Sequence, residues 1–286
     1  MRQRSLLLLL SLLLSTGALA QTTGPANGSL VVVGGGMRDL SILQRFGELA
    51  GGLDKLIVVI PTAVGAEDYN GSWPGLRQFR EAGLTNVKLI HTYDPAIADT
   101  DEFAVPIRQA GGVWFTGGRQ WRLADSYLNT KVHEALIELL VRDGVVGGSS
   151  AGATILGSYL ARGDTTNNTI MMGDHEEGFG FMQNVAIDQH MLRRNRQFDL
   201  LEIIAAKPEL LGIGLDEDTA IVVQGDRFEV IGQSYIAIFD HSHMLDSGGK
   251  FFFMEPGDIY DLKERQASRP RQLLLPLERV VEQSWP

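Results

Sequence analysis

The chain has 286 residues, of which 44% are hydrophobic and 21% charged, a composition typical of a globular protein and not of a disordered or collagen-like one. Its 25 lysines and arginines are outnumbered by 35 aspartates and glutamates. The formal net charge of -10 argues against general nucleic-acid binding, which needs a basic surface. Cysteine is absent, which excludes disulfide scaffolds, thiolate metal sites and cysteine nucleophiles.

Residues 1–20 have the pattern of a secretory signal peptide. Two arginines among the first four residues precede the apolar stretch Leu6–Leu14, and Ala18-Leu19-Ala20 forms a small-residue cleavage site. The apolar stretch is too short for a comfortable membrane span. We therefore expect a secreted or periplasmic protein with one domain over 21–286, free of the membrane once the signal is cleaved. A retained N-terminal anchor is the alternative.

The next part of the chain alternates apolar runs with helical patterns. Apolar runs that end in glycine or proline predict strands buried on both faces of a sheet. They are Leu30–Val33, Leu56–Ile60, Val87–Ile90, Val113–Thr116 and Val145-Val146. Apolar residues spaced by three and four predict one long helix over Arg122–Arg142. This alternation predicts an α/β fold with a largely parallel sheet and helices on both faces.

The C-terminal third has a different pattern. Ala220–Val223, Phe228–Ile231 and Phe251–Met254 read as strands joined by short turns, which predicts antiparallel additions at a sheet edge. From Ala267 onward prolines break any long element, so a surface tail is expected. The sequence contains no repeat or linker, and a single domain follows.

The segment Gly148–Gly152 fits the pattern G-x-S-x-G with Ser150 at its centre. It lies between the predicted strand Val145-Val146 and a predicted helix over Ala151–Leu160. A serine on such a tight strand-to-helix turn is exposed as a nucleophile, and the helix N-terminus suits a developing oxyanion. The alternative is an ordinary glycine-rich turn in which Ser150 caps the helix.

A serine nucleophile needs a base and a group that orients the base. Of the six histidines, His190 is the best placed, because it follows the short predicted strand Val185–Ile187. A histidine that is merely hydrogen-bonded at the sheet edge is the alternative. Three acids, Asp216, Glu217 and Asp218, follow the predicted strand Leu211–Leu215, and the local pattern does not choose among them.

Five motifs occur in the order in which the cyanophycinase-like serine peptidases carry them, a family that also includes aspartyl dipeptidases. They are Ile60–Ala63, Phe115–Gln120, Gly148–Ala153, Asp188–His190 and Gly214–Ala220. The chain therefore resembles this family. The resemblance implies a flavodoxin-like fold similar to that of class I glutamine amidotransferases, with serine in place of their cysteine. It also implies a Ser–His–Glu triad, which assigns Ser150, His190 and Glu217.

The resemblance further implies an oxyanion hole and a substrate pocket. The oxyanion donors would be the backbone N–H groups of Gly118 and Ala151. Residues matching the pocket are Gln120, Asp188, Gln189, Arg194 and Arg196. Guanidinium groups bind carboxylates in bidentate fashion, which suits the two arginines to an aspartyl substrate.

The implied activity is hydrolysis of aspartyl peptide or isopeptide bonds through an acyl-enzyme. Cyanophycin, a polyaspartate carrying arginine on its side chains, is the leading substrate, with β-aspartyl-arginine dipeptides as products of an exopeptidase. No cofactor and no metal is expected, and a homodimer is left open. One departure stands out: Asp199 lies where the cyanophycin-cleaving pattern Arg-x-Gly-Arg-Leu, read from Arg196, has its second arginine. This change bears on substrate choice more than on the catalytic groups.

Two other functions compete with this interpretation. An α/β-hydrolase esterase shares G-x-S-x-G but orders its triad serine, acid, histidine, and Asp216 or Asp218 followed by His241 or His243 would fit that order. A catalytically inactive secreted binding protein on the same fold is the second.

The sequence gives less support to nucleotide binding or metal binding. A dinucleotide loop at Gly34–Gly36 would need glycine at position 39, which is Asp39. Zinc at Asp240, His241 and His243 would lack further clustered ligands.

Overall fold

The computed structural model describes residues 23–242 and 249–270. The predicted signal peptide, His243 and the chain from 271 onward lie outside the described residues. Predicted and observed strand positions agree within one or two residues for most of the strands foreseen. In chain order the strands are β1 Ser29–Val33, β2 Ile57–Ile60, β3 Val87–Leu89, β4 Gly112–Phe115, β5 Val145–Ser149, β6 Gly157–Tyr159, β7 Met182–Gln189, β8 Leu211–Leu215, β9 Thr219–Gln224, β10 Arg227–Gly232, β11 Ile236–Asp240, β12 Phe252–Met254, β13 Ile259–Asp261 and β14 Gln266–Ser268.

These strands form two sheets. The first has nine strands in the order β14-β13-β10-β9-β1-β5-β4-β2-β3, and the second has five in the order β12-β11-β8-β7-β6. Parallel pairing joins β1 to β5, β5 to β4 and β4 to β2, while β9, β10, β13 and β14 add to that sheet in antiparallel fashion. The predicted α/β class with antiparallel additions is confirmed, but its division into two sheets is not predicted by the sequence.

Helices cover both faces of the first sheet, as the apolar strands require. They are α1 Leu40–Leu49, α2 Arg77–Glu81, α3 Pro95–Ala98, α4 Asp101–Gln109, α5 Gln120–Tyr127, α6 Lys131–Val141, α7 Ala151–Thr154 and α8 Leu200–Ala206, with 3-10 turns at Thr62–Val64 and Pro74–Leu76. Side chains alternate across β1, so that Leu30 and Val32 join the core shared with α4 to α7 and the second sheet. Val31 and Val33 join the opposite core with α1 and α2.

The long helix predicted over Arg122–Arg142 is wrong, because the chain forms α5 and α6 with a break between them. Asn129 has φ +59°, a left-handed conformation that asparagine tolerates better than most residues. The Thr130 hydroxyl then donates to the carbonyl of Tyr127. The apolar spacing runs on across the break because both helices bury the same side against one core.

The helix predicted over Ala151–Leu160 is also wrong. Only one turn, α7, is helical, and the chain then enters strand β6, which pairs with β7. A Cβ at Gly157 would lie 2.7 Å from the Val185 carbonyl oxygen, so glycine permits this close approach. Tertiary pairing with a strand distant in sequence has overridden the local pattern.

Candidate active site

A chain of two hydrogen bonds joins a serine, a histidine and a glutamate. Ser150 Oγ lies 2.9 Å from His190 Nε2, and His190 Nδ1 lies 2.7 Å from Glu217 Oε1. Each residue stands at or just past the carboxyl end of a strand: Ser150 follows β5, His190 follows β7, and Glu217 lies two residues after β8. The structure therefore brings together the three residues that the resemblance singles out.

The backbone at Ser150 is strained, with φ +57° and ψ -115°. A non-glycine residue rarely adopts such a conformation, and residues held in one cluster at active sites. A side chain at Gly148 would overlap the Gly152 backbone, and one at Gly152 would overlap the Phe115 carbonyl. Ser150 makes no capping hydrogen bond to α7, so its hydroxyl faces His190 instead of serving the helix.

Three backbone hydrogen bonds, made at the end of β1 and in the turn after it, hold the segments that carry Ser150, His190 and Glu217. Three successive carbonyls, those of Val33, Gly34 and Gly35, accept from the N–H groups of Ser150, His190 and Asp218, each at 2.9 Å. Asp218 directly follows Glu217. The serine arises from the first sheet and the other two residues from the second, so this turn connects the two halves of the site.

The glycines of that turn leave room for the site's side chains. A Cβ at Gly35 would lie 2.7 Å from Nε2 and 2.8 Å from Nδ1 of the His190 ring, and one at Gly36 would lie 2.5 Å from Glu217 Cδ. Their close packing against the imidazole and the carboxylate accounts for the glycine run. The structure gives no support to a dinucleotide loop there.

The imidazole is set up to accept a proton. A carboxylate oxygen can only accept a hydrogen bond, so Nδ1 carries the ring proton toward Glu217, and Nε2 is free to accept from the Ser150 hydroxyl. Burial lowers the pKa of His190 below its ordinary value; the hydrogen bond to Glu217 opposes this, and Arg194 adds to the lowering. The residue His190 is only 6% exposed. The pKa direction favours the neutral, proton-accepting form at pH 7.

Of the two backbone donors expected for an oxyanion, Ala151 directly follows the serine and Gly118 follows a residue that packs against it. Ala151 is the first residue of α7, so its N–H has no acceptor within the helix. On the other side, a Cβ at Gly117 would lie 3.2 Å from Ser150 Cβ, so the segment leading to Gly118 runs against the serine. Gly118 itself has φ +142°, and a side chain there would overlap the Ala63 carbonyl.

Only one of the three adjacent acids reaches the histidine. Asp216 accepts the N–H groups of Leu192 and Arg193, at 3.0 and 2.8 Å. Asp218 accepts two N–H groups of the loop after β1. Glu217 binds His190, and its other oxygen lies 4.0 Å from Arg193 Nε. Arg193 thus supplies a positive charge that offsets the repulsion among the three neighbouring carboxylates.

Two of the residues predicted for the substrate pocket have buried partners in this structure. Gln120 Nε2 donates to the carbonyls of Ala161 and Arg162, at 2.7 and 2.9 Å. Asp188 binds the Arg162 guanidinium with both oxygens, at 2.7 and 2.9 Å. Arg162 is 1% exposed. The sequence did not single it out, because its partner Asp188 lies 26 residues away and the residues around Arg162 do not indicate the pairing.

The other three predicted pocket residues lie next to a polar cavity. Gln189 Oε1 accepts from Arg196 Nη1 at 2.8 Å, and Arg194 is exposed. Arg162, Arg194 and Arg196 contribute to the lining of a cavity of about 480 Å³. Asp199, which replaces the arginine of the cyanophycin-cleaving pattern, accepts from Arg162 Nη2 and also lines this cavity.

The remaining histidines have other surroundings. His241 is exposed, and His243 lies outside the described residues. Ser150 and Glu217 both bond to His190, which favours the order serine, histidine, acid. Asp240 pairs with Arg265 at 2.7 Å, and the described ranges contain no cluster of three metal-binding side chains. His133 Nε2 lies 3.0 Å from the Phe179 carbonyl oxygen, in keeping with a packing role.

A serine hydroxyl, an imidazole and a carboxylate in hydrogen-bonded sequence on an α/β fold define the class of the serine hydrolases. Comparison with known proteins narrows the class. The sequence model of peptidase family S51 matches residues 30–231. The chain belongs to this family and is a serine peptidase.

Curated relatives and solved structures agree with this assignment. The chain is 31% identical to a cyanophycinase of Geminocystis herdmanii (strain PCC 6308) over 245 residues, covering 82% of this chain and 89% of the relative. A cyanophycinase of Trichormus variabilis is 31% identical over 242 residues, with 81% and 80% covered. A peptidase from an acI-B1 Actinobacterium superposes with TM-score 0.63 at 27% identity, covering 83% and 98%. A putative peptidase E from Listeria monocytogenes EGD-e (TM-score 0.52, 18% identity, 73% and 100% covered) shares the fold.

Proposed function

We propose that this chain is a secreted peptidase that hydrolyses aspartyl peptide or isopeptide bonds, with Ser150, His190 and Glu217 as its catalytic residues. The observation that carries the proposal is the pair of hydrogen bonds, 2.9 and 2.7 Å, that joins the three side chains in line. A neutral imidazole between a hydroxyl and a carboxylate is the arrangement that makes a serine nucleophilic.

The reaction is acyl transfer to water. His190 Nε2 takes the Ser150 proton as Oγ attacks the scissile carbonyl, and Glu217 stabilises the imidazolium that forms. The N–H groups of Gly118 and Ala151 bind the oxyanion. The imidazolium then protonates the leaving amine, the C–N bond breaks, and an ester to Ser150 remains. Water, deprotonated by the same imidazole, cleaves the ester and restores the hydroxyl.

The pocket residues and the relatives support the proposed substrate class. Arg194 and Arg196 lie four and six residues after His190 and line the polar cavity, where they suit the second carboxylate of an aspartyl residue. Relatives at 31% identity are cyanophycinases, which makes cyanophycin the first polymer to test. Asp199 occupies the cavity wall where the cyanophycin-cleaving pattern has arginine, and it neutralises part of the charge of Arg162.

One experiment tests both the mechanism and the substrate class. The protein beginning at Gln21 is treated with a serine-directed fluorophosphonate, and separately with cyanophycin and with α- and β-aspartyl dipeptides, whose products are read by mass. We expect one label per chain, located on Ser150, and release of aspartate or aspartyl dipeptides. Ser150→Ala should lose the label and lower kcat by about 10³-fold or more. Undiminished labelling or hydrolysis in Ser150→Ala contradicts the mechanism.

The secreted location is part of the proposal and rests on the sequence of residues 1–20, which lie outside the described residues. In the part of the chain that the structure describes, no helix has the length and apolar character needed to cross a membrane. Expression of the full chain and N-terminal sequencing of the exported protein tests it, with Gln21 the expected first residue.

A further inference from the structure

The structure has a polar cavity lined by residues that follow His190 in the chain, and a second, more apolar cavity beside Ser149. The polar one contains the arginines that follow His190. The other also has a volume of about 480 Å³ and is lined by Gly117 and Ser149, the chain neighbours of Gly118 and Ser150. Pockets of roughly 300–1,000 Å³ hold small ligands, so this second space is large enough for a substrate residue.

Aromatic side chains form much of the wall of the second cavity. Trp114 and Phe79 pack edge to face with ring centroids 5.9 Å apart, and both are almost fully buried behind the cavity. Trp73 closes another side and packs edge to face against Tyr69 at 5.4 Å. Met37 and Val64 are the other apolar side chains of the lining. Aromatic walls already fixed by their own packing lose little entropy when a ligand side chain fills the space.

One positive charge stands among the lining residues of this cavity. Arg38 is exposed and lines it, and its backbone N–H donates to Asp218 at 2.7 Å. The described lining residues include no carboxylate to receive a cationic side chain. An arginine side chain would therefore find aromatic surface but also the repulsion of Arg38. An apolar side chain attached to a carboxylate fits both features.

We infer that this cavity binds the leaving residue of the substrate, an amino acid with a large apolar side chain whose free carboxylate pairs with Arg38. The inference rests on the proposed function and specifies its substrate: an aspartyl residue lies toward Arg194 and Arg196, and a residue such as phenylalanine or leucine lies among Trp73, Trp114 and Met37. Hydrolysis adds water across the bond between them and releases aspartate and the apolar amino acid.

The first part of the test compares substrates on the wild-type protein. kcat/KM is measured for aspartyl-phenylalanine, aspartyl-leucine, aspartyl-alanine and aspartyl-lysine, in the α or β series, whichever is cleaved faster. One methylene in an apolar pocket changes kcat/KM by about 10-fold or more, so phenylalanine and leucine should exceed alanine by at least that factor. Lysine, with a chain of similar length and a positive charge, should be no better than alanine.

The second part uses matched variants. Trp73→Ala should lower the preference for phenylalanine over alanine by about tenfold. Phe253→Ala, an exposed aromatic residue on the edge strand β12, should leave it unchanged. Arg38→Gln should lower kcat/KM for aspartyl-phenylalanine by about fivefold and leave its C-terminal amide unaffected, because a partly solvated ion pair is worth little more.

Arg77→Gln, an exposed arginine paired with Glu81, is the matched control for Arg38. Thermal melting of each variant shows whether the fold is kept. An equal preference for alanine and phenylalanine with Ser150 labelled and aspartyl peptides cleaved overturns the inference and leaves the proposed function standing. Labelling of Ser150 without cleavage of any aspartyl substrate overturns both.

Discussion

Gly35 offers the sharpest test of the proposed triad, because the atoms nearest to a methyl group there are those of the His190 ring. In Gly35→Ala the new Cβ would lie 2.7 Å from His190 Nε2 and 2.8 Å from Nδ1, whereas non-bonded atoms settle at roughly 3.5–4.0 Å. With the Gly35 carbonyl kept in its hydrogen bond to Asp218, relief of this overlap requires the ring to move by roughly 1 Å. Such a shift breaks the 2.9 Å contact with Ser150, and a misplacement of about 1 Å costs about 10²-fold in rate. This corresponds to about 2.7 kcal/mol of transition-state stabilisation.

The matched control separates backbone strain from displacement of the ring. Gly35 has φ +114°, so alanine there also carries a conformational cost of about 1–3 kcal/mol. Gly257 has φ +92°, and a Cβ there would meet nothing within 4 Å. The assay is the rate of fluorophosphonate labelling together with thermal melting. Gly35→Ala should react about 100-fold more slowly while Gly257→Ala reacts normally. Labelling of Gly35→Ala within threefold of wild type, at normal melting temperature, refutes the geometric reasoning.

Two further predictions concern the buried arginine and the pH dependence. Asp188→Asn leaves the Arg162 guanidinium without its buried bidentate partner and should lower the free energy of unfolding by about 3–5 kcal/mol. Asp199 binds the same guanidinium but is itself 36% exposed, so Asp199→Asn should cost about 1 kcal/mol or less; equal losses in urea unfolding contradict this ranking. Burial lowers the pKa of His190, and below that pKa the ring is protonated and cannot act as a base, so the acid limb of kcat/KM should lie below pH 6.5. Arg194→Gln removes a positive charge that disfavours protonation, so the limb should move to higher pH; a shift to lower pH contradicts the assignment.

The proposed catalytic residues could be found from the sequence because each follows a short apolar run. Ser150 stands in a glycine-rich turn after the run Val145-Val146, and His190 follows Val185–Ile187. Strand ends of an α/β fold gather at one edge, so residues distant in sequence become neighbours there. The choice of Glu217 among three acids came from the family resemblance. Spacing alone could not show that Asp216 and Asp218 would bind backbone N–H groups.

What the sequence could not predict depends on contacts between distant segments. The second sheet exists because Leu211–Leu215 pairs with Met182–Gln189 on one side and Ile236–Asp240 on the other, which no local pattern encodes. The burial of Arg162 depends likewise on Asp188, 26 residues away. The predicted length of the helix after Ser150 was wrong for the same reason. The pattern of the segment after Thr154 fits a helix or a strand, and its pairing with β7 makes it a strand.

The carbonyls of Val33, Gly34 and Gly35 hold the segments that carry the three proposed catalytic residues through backbone hydrogen bonds. The side chains of the catalytic residues play no part in these three contacts. Inert replacements such as Ser150→Ala should therefore preserve the surrounding architecture and serve as faithful hosts for trapping intact substrates. The contacts to His190 and Asp218 span the junction between the sheets, so catalytic turnover reports whether that junction is intact. In rising denaturant, activity should vanish no later than the spectroscopic signal of the fold.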